Sequence, residues 1–188
     1  AERSPIMNET LKTIAERYSC RDFADTPLTD EQIKALADAA LAAPSAVNRQ
    51  PWHITVITDK ALIDEMDAEA LNVLREEDKP RYDRVMADGG TIFYNAPCML
   101  MVSSDGSKWA NMDCGILCQN VALAAHSLGL GSLICGMARI PLSGIRGEEF
   151  KKRLHFPDGY DFGIAVLVGK AKSGKDPHEL DRGKVTLI

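Results

Sequence analysis

Apolar side chains recur every three or four positions in two segments near the start of the chain. Residues 11–18 follow this spacing and predict a short first helix. A second helix is predicted to begin after Thr29, because Thr29 and Gln32 have the spacing of a capping box and an apolar face, residues 33–41, follows them. Pro44 is expected to end this helix.

Four short segments have the composition of β-strands. Residues 52–58 (WHITVIT) alternate and are rich in β-branched side chains, and residues 133–135 predict a shorter strand after the glycines that end the preceding helix. Residues 97–103 and 162–168 are almost wholly apolar, which is typical of strands covered on both faces.

Helical spacing also predicts helices over residues 60–76, 108–128 and 148–154, while residues 80–94 fit no single pattern. The segment 108–128 is the longest, and its apolar side chains extend around most of the circumference. Such a helix is buried, either at the centre of the domain or in a subunit interface. The whole pattern predicts a three-layer arrangement of helices around a small sheet.

Length and composition fit a soluble globular domain, with 45% apolar and 26% charged residues among 188. We predict one domain over residues 1–188, with a disordered N-terminus at 1–7 and a C-terminal arm at 170–188. The net charge of −5 and the lack of a basic run argue against nucleic acid or an acidic membrane as partner. No apolar run approaches the roughly 18 residues that would cross a bilayer.

The chain has five cysteines, an odd number, and no two of them form a CxxC motif. This pattern fits a protein of the reducing cytoplasm better than one held together by disulfides. Cys114 and Cys118 lie one helical turn apart and could in principle hold a metal ion. Four scattered histidines and no carboxylate cluster favour core packing instead, so no metal is predicted.

Arg17, Ser19 and Arg21 form the first candidate for chemistry. In an extended segment, residues two apart point to the same side, so these three would make one polar row. Two guanidinium groups and a hydroxyl suit a phosphate or another oxygen-rich ligand. The alternative is a solvated edge with two surface arginines.

The second candidate is the segment APSAVNRQPW, residues 43–52, which joins a helix to a strand. Its two prolines fix the backbone of a loop whose residues 44–46 are small enough to let a flat ring approach. Asn48 and Gln50 can each donate and accept hydrogen bonds, which suits the mixed edge of a heterocycle. The alternative is a tight helix–strand connection in which the amides cap backbone groups.

Together, the R-x-S-x-R row and A-P-S-A-x-N-x-Q-P-W resemble the N-terminal signature of the nitroreductase family, whose members bind FMN. The resemblance continues through residues 119–132, similar to the family's long central helix and following turn, and ends at Arg182. It covers roughly residues 10–185, except for 60–96, where only the general layout matches. The resemblance implies an α+β fold, a three-layer α/β/α nitroreductase-like fold with a small mixed sheet, and an intertwined homodimer.

The same resemblance implies the FMN contacts. Arg17 and Arg182 are expected at the phosphate with Lys184 as a helper, and Arg21 near the pyrimidine, where its charge would stabilise the reduced ring. Residues 44–48 would come from the partner subunit and cover the ring, and a backbone N–H near Cys135 or Gly136 would reach flavin N5. The residues expected to contact FMN are Arg17, Tyr18, Ser19, Arg21, Pro44, Ser45, Ala46, Asn48, Gln50, Leu133, Ile134, Cys135, Gly136, Arg182 and Lys184.

The function implied is electron transfer from NADH or NADPH through FMN to a small organic acceptor such as a nitroaromatic or a quinone, with no side chain as catalyst. Two alternatives stay open: a flavin dehydrogenase or reductive dehalogenase specialised for one substrate, and an FMN-binding carrier or sensor without turnover. The acceptor pocket is expected within residues 65–112, where the aromatic candidates are Tyr82, Phe93, Tyr94 and Trp109.

Two other features favour a structural interpretation. Gly129-x-Gly131 has the start of a dinucleotide fingerprint, but it follows a helix instead of opening one after a strand. Cys135 stands where many nitroreductases carry an acidic or polar side chain. A buried cysteine is usually a small hydrophobe, so a redox role for Cys135 is the less favoured interpretation.

Overall fold

The computed structural model of the chain describes residues 8–176 and 178–188, so the predicted disordered N-terminus 1–7 lies outside the described residues. Helices and strands alternate irregularly along the chain, as an α+β fold requires. The helices are α1 (Glu9–Glu16), α2 (Asp30–Leu41), α3 (Lys60–Glu77), α4 (Lys79–Ala87), α5 (Ala110–Ser127), α6 (Ile140–Ser143) and α7 (Gly147–Arg153). The strands are β1 (Trp52–Ile57), β2 (Cys98–Ser104), β3 (Gly131–Ile134) and β4 (Asp161–Gly169).

The four strands form one sheet in the order β1-β2-β4-β3, and every neighbouring pair is antiparallel. The prediction of a mixed sheet is therefore wrong for these strands. In the part of the chain that the structure describes, the parallel pairing is an isolated bridge between Ser19 and Ser132. Alternation of side chains specifies which face of a strand is buried, but it does not specify the direction of the neighbouring strand.

Both faces of the sheet are covered, which confirms the predicted three layers. Every residue of β2 is buried. Met99 and Met101 belong to the core cluster that contains α3, while Leu100 and Val102 belong to the cluster that contains α2 and α5. Alternate side chains of one strand thus enter two separate cores, as the apolar run at 97–103 predicted.

Local signals fix the ends of several helices. The capping box at Thr29 and Gln32 forms as predicted, with both reciprocal hydrogen bonds present. Residues 80–94, which fit no pattern, divide into α4 and a loop that follows it.

Among the helices in the described ranges, none combines the length and apolarity that a membrane crossing needs.

The C-terminal arm begins by pairing with the segment after α1. Phe23 and Ala171 form an antiparallel bridge, and the Ala24 N–H donates to the Lys170 carbonyl at 2.8 Å. The last residues, 185–188, are exposed and lie outside any strand of this chain. The arm is therefore anchored at its start by main-chain hydrogen bonds.

Candidate functional site

The predicted polar row at Arg17, Ser19 and Arg21 runs along the outer edge of β3. The Cys20 N–H donates to the Ser132 carbonyl at 2.9 Å, which fixes the segment beside the strand. Cys20 points into the core with 2% of its surface exposed, whereas Arg17, Ser19 and Arg21 line one groove. The alternation expected of an extended segment is therefore present around Cys20, while Tyr18 lines the groove together with the row.

The groove beside β3 has a volume of about 550 Å³. The Nε atom of Arg17 is buried and has no hydrogen-bond partner among the residues described. A buried donor without an acceptor is costly, so this atom is prepared for an acceptor that the described residues do not provide. The groove is lined by Arg17, Tyr18, Ser19, Arg21, Lys175, Asp176, His178 and Glu179.

Sequence reasoning missed Lys175. The C-terminal arm carries it to the groove, because the Lys172 N–H donates to the Asp22 carbonyl at 3.0 Å and the Tyr18 hydroxyl donates to the Ser173 carbonyl at 3.0 Å. Two carboxylates also line the groove, and they would balance the two arginines. Lys175 therefore gives the lining an excess of positive charge.

Arg182 and Lys184, predicted at the phosphate, line an adjoining hollow of about 420 Å³ instead of the groove itself. The groove and the hollow share two wall residues, His178 and Glu179. The structure thus brings the two predicted cations close to the groove without making them part of its lining.

The end of β3 offers a surface beside this row. Ile134 is 41% exposed, and the position that a Cβ would take on Gly136 faces open space, while Leu133 is buried. The Cys135 N–H already donates to the Ala165 carbonyl at 2.8 Å. Of the two backbone N–H groups predicted to reach a flavin, Gly136 is therefore the better placed.

Cys135 has the character of a core residue. It is 5% exposed, and its thiol lies 3.9 Å from the Ile92 carbonyl, to which it donates. Burial raises the pKa of the Cys135 thiol, although two backbone N–H groups and the charge of Arg21 act in the opposite direction. A thiol held protonated in this way is a poor redox nucleophile.

The proline-flanked loop, residues 44–50, contains one 3-10 turn, Ala46–Asn48. Val47, Asn48 and Gln50 have φ angles of 49°, 55° and 49°, in the left-handed region that such residues rarely adopt. The Ser45 hydroxyl accepts the Gln50 N–H at 2.9 Å, and the Gln50 side chain donates to the Asn48 side chain at 3.0 Å. The amide pair is thus part of the loop's own network.

One chain does not bring the two predicted halves of the site together. The loop 44–50 leads into β1 at one edge of the sheet, whereas residues 17–21 run along β3 at the opposite edge. With β2 and β4 between them, the two edges lie about 14 Å apart at the usual strand spacing. None of the residues 44–50 is part of the groove that Arg17, Ser19 and Arg21 line.

The aromatic candidates for the acceptor pocket occupy different environments. Phe93 is 1% exposed and belongs to the core, which removes it from any pocket lining. Tyr82 and Tyr94 are half-buried against the same core. Trp109 is 47% exposed, with the Lys108 ammonium 4.9 Å from its ring centroid. Trp109 is therefore the most available of the four.

Similarity to known structures extends over nearly the whole chain. A nitroreductase with bound FMN from Desulfitobacterium hafniense superposes with a TM-score of 0.93 at 51% identity, covering 97% of this chain and 100% of that one. The likeness therefore includes both edges of the sheet at which the candidate site residues lie.

Sequence relatives agree with the structural similarity. A relative from Archaeoglobus fulgidus is 31% identical over 182 residues, which cover 93% of this chain and 92% of that protein. The NADPH-flavin oxidoreductase of Vibrio harveyi is 32% identical over 133 residues, 71% of this chain and 55% of that protein. The model of the nitroreductase family matches residues 14–170. The chain belongs to the nitroreductase family.

Proposed function

We propose that this chain is an FMN-dependent oxidoreductase that takes electrons from NADH or NADPH and passes them to a small organic acceptor, such as a nitroaromatic or a quinone. The proposal is supported by family membership and by a 51% identical nitroreductase that has FMN bound. When bound, FMN supplies the redox chemistry, and the protein supplies binding, orientation and electrostatics.

The observation that carries the proposal is the buried Nε of Arg17, which lacks a partner among the described residues. A flavin phosphate is an acceptor of the kind this donor requires. Ser19 and Arg21 line the same groove, so they can bind the ribityl hydroxyls and the pyrimidine carbonyl groups beyond the phosphate. These donors therefore fit FMN.

The isoalloxazine ring is proposed to lie against Ile134 and Gly136. Ile134 offers an exposed apolar side chain, and the open space beside Gly136 lets a flat ring approach the backbone. Arg21 lies near enough to Cys135 to affect its thiol pKa, so the guanidinium adjoins the same segment. Its charge can stabilise the negative charge that a flavin acquires on reduction.

We further propose that the protein is a homodimer in which the loop 44–48 of one chain covers the flavin of the other. The exposed face of α5 supports this, because Met112 is 60% exposed and Ile116 is 36% exposed on a helix whose opposite face is buried in the core. Val185 and Ile188, among the last residues of the arm, are also exposed apolar residues. They suit a partner's sheet edge.

The edge that would receive the arm is β1, which has a neighbouring strand on one side in the sheet. Beside it lies a hollow of about 310 Å³. Its lining is mostly apolar, like the end of the arm, and it consists of Ala37, Leu41, Gln50, Trp52, His53, Ile54 and Val56. Pairing of the arm with β1 of the second chain would make the dimer intertwined.

The test begins with the visible spectrum of the purified protein, because a protein with bound flavin is yellow. NADH and NADPH oxidation is then measured with a panel of nitroaromatic and quinone acceptors. Turnover with several acceptors supports a broad reductase, and turnover with one acceptor supports the specialised alternative. Bound FMN without any oxidation of NADH or NADPH would contradict the proposed activity and favour a carrier or sensor.

The cellular location proposed is the cytoplasm. All five cysteines are buried and unpaired, which suits a reducing compartment. Fractionation of cells that express the native gene would test this proposal, and recovery of the protein outside the cytoplasm would contradict it.

A further inference from the structure

Asp113, in the first turn of α5, is a buried carboxylate, and only one of its two oxygens accepts a hydrogen bond from the described residues. It is 3% exposed, and its Oδ1 accepts the Ala46 N–H at 3.1 Å. Its Oδ2 is also buried and has no hydrogen-bond partner among the residues described. Because a carboxylate hidden from water is costly unless it is paired, a role beyond the filling of space is indicated for this side chain.

The hydrogen bond from Ala46 to Asp113 lies immediately before the most unusual backbone in the loop. Val47 has φ 49° and ψ 29°, and Asn48 follows with φ 55°. A β-branched residue is unfavourable in this region, and such conformations persist only where the surroundings fix them. The side chain of Val47 is 97% exposed, so the turn displays it away from its own chain.

The other hydrogen bonds of the loop do not anchor it to a helix. The bond between Ser45 and Gln50 is internal. Arg49 pairs with Asp105 at 3.0 Å, but that arginine is more than half exposed and Asp105 lies in another loop. Asp113 connects the turn to α5, which packs against α2, β3 and β4. The turn thus takes its position from a rigid element through one buried carboxylate.

We propose that Asp113 is a positioning residue that holds the Ala46–Asn48 turn where it covers the partner subunit's flavin. This inference rests on the proposed function. Arg17 and the other groove residues bind the cofactor at the opposite edge of the sheet, so the turn acts mainly on the space above the ring, where acceptors enter. Loss of the Asp113 contact therefore affects use of the acceptor more than it affects binding of FMN.

A carboxylate in the first turn of a helix also stabilises that helix through the helix dipole, which is a purely structural role. Two substitutions separate the roles. Asp113→Asn removes the charge but keeps an oxygen that can accept the Ala46 N–H, whereas Asp113→Leu keeps the branched shape of the side chain and removes the acceptor. A third variant, Ala46→Pro, removes the donor and leaves Asp113 intact.

The experiment uses the dimeric holoenzyme and two measurements. The first is hydrogen–deuterium exchange of residues 44–50, which reports on the turn without any need for turnover. The second is steady-state reduction of a quinone or a nitroaromatic, with the FMN dissociation constant measured alongside. Asp113→Leu is expected to speed exchange at Ala46 and to lower kcat/KM for the acceptor about tenfold, the ratio that loss of one ordinary hydrogen bond produces.

The loss in Asp113→Leu should come mainly from a higher KM, and the FMN dissociation constant should rise less than it does in Asn48→Ala, since the phosphate anchors lie elsewhere and the Asn48 side chain is retained. Asp113→Asn should stay near wild type in both measurements. Ala46→Pro should show the same loss of kcat/KM as Asp113→Leu. The double variant should lose no more kcat/KM than either single variant, because both changes break the same hydrogen bond, from the Ala46 N–H to Asp113.

Three results would overturn the proposal. Unchanged exchange in Asp113→Leu would mean that the carboxylate does not fix the turn. Faster exchange with unchanged kcat/KM would mean that the turn does not shape the site. Equal effects of Asp113→Asn and Asp113→Leu on exchange and on kcat/KM would indicate that Asp113 acts only on the helix dipole. A wild-type protein that binds no flavin refutes the proposed function instead, and with it the flavin-covering role of the turn, while exchange at Ala46 shows whether Asp113 fixes the turn.

Discussion

Ser19 and Ser132 form an isolated parallel β-bridge, and this bridge holds the Arg17–Arg21 row against the edge of β3. Arg17, Ser19 and Arg21 face the groove on one side of this segment, and Cys20 is buried in the core on the opposite side. The geometry of the proposed phosphate site therefore depends on a main-chain contact as well as on the charges of the arginines. Changes to this contact or to the arginines should therefore weaken the binding of FMN.

Arg17→Ala is expected to weaken FMN binding by about 2–4 kcal/mol, because charge-assisted hydrogen bonds to a phosphate dianion lose their partner. Titration of apoprotein with FMN, followed by the quenching of flavin fluorescence, measures this. Arg84→Ala, a change of an exposed arginine on α4, is the control and should bind FMN as wild type does. Wild-type affinity in Arg17→Ala would remove this residue from the site.

Lys175→Gln should weaken FMN binding by about three- to tenfold, the range for a largely exposed charge that faces an anion. Riboflavin, which lacks the phosphate, should bind the variant and the wild type equally. Lys172→Gln is the matched control, because Lys172 belongs to the same arm but pairs with Asp22 at 3.4 Å. Equal weakening of FMN and riboflavin in Lys175→Gln would show that the lysine does not act on the phosphate.

Gly131→Ala tests the main-chain contact. An added Cβ would lie 2.9 Å from the Cβ and the Sγ of Cys20 and 3.2 Å from the Cβ of Ala171, so the segment beside β3 must move. We expect a loss of about 1–3 kcal/mol in the free energy of unfolding and weaker FMN binding. The double variant Gly131→Ala/Cys20→Gly restores space and should recover part of both losses. Full FMN affinity in the single variant would contradict this dependence.

The features that sequence could predict are those encoded locally. The capping box at Thr29 depends on residues three positions apart, and the outward row of Arg17, Ser19 and Arg21 follows from the alternation of an extended chain. Strand β2 was recognisable because both of its faces are buried. In each case, the identity of nearby residues determines the structure.

The features that sequence missed are formed by contacts between distant parts of the chain. Lys175 reaches the groove because the main chain of residues 170–173 forms hydrogen bonds with residues 18–24, and the side chains of 170–173 carry no signature of this pairing. Asp113 and Ala46 are 67 positions apart. Helix α4 has no buried residue, so its apolar periodicity is weak. Main-chain pairing and surface helices leave little trace in the order of residue types.

Acid is expected to destabilise the fold partly through Glu65. The guanidinium groups of Arg153 and Arg146 hold the pKa of Glu65 down to about 2, and they join α3 to the region of α7. An unfolded glutamate titrates near pH ~4.3, so this stabilisation is present above that pH and is lost as pH falls towards about 2.

Glu65→Gln should therefore lower Tm at neutral pH, and the difference from wild type should shrink between about pH 4.5 and 2 as the wild-type carboxylate becomes protonated. Thermal unfolding of the apoprotein across this range measures the effect. Glu77→Gln, at the exposed end of the same helix, is the control and should leave Tm unchanged. A difference in Tm between Glu65→Gln and wild type that is constant across the range would contradict the role of this ion pair.

The last prediction concerns the sharing of each flavin between two chains. Because Arg17 and Asn48 belong to opposite edges of one sheet, the proposed dimer unites them only across the subunit boundary. A homodimer of Arg17→Ala chains, or of Asn48→Ala chains, then carries one damaged residue in each of its two sites. In a mixed dimer of the two variants, one site has both changes and the other has neither.

Titration of FMN into purified mixed dimers should accordingly give two classes of site in equal number. Half should bind with wild-type affinity, and half should bind more weakly than in either homodimer, because both contacts are absent there. Differently tagged chains, co-expressed and purified by both tags in turn, provide the mixed dimer. If each flavin were bound within one chain, every site would carry one damaged residue. No site would then recover wild-type affinity, and that result would refute the shared-site arrangement.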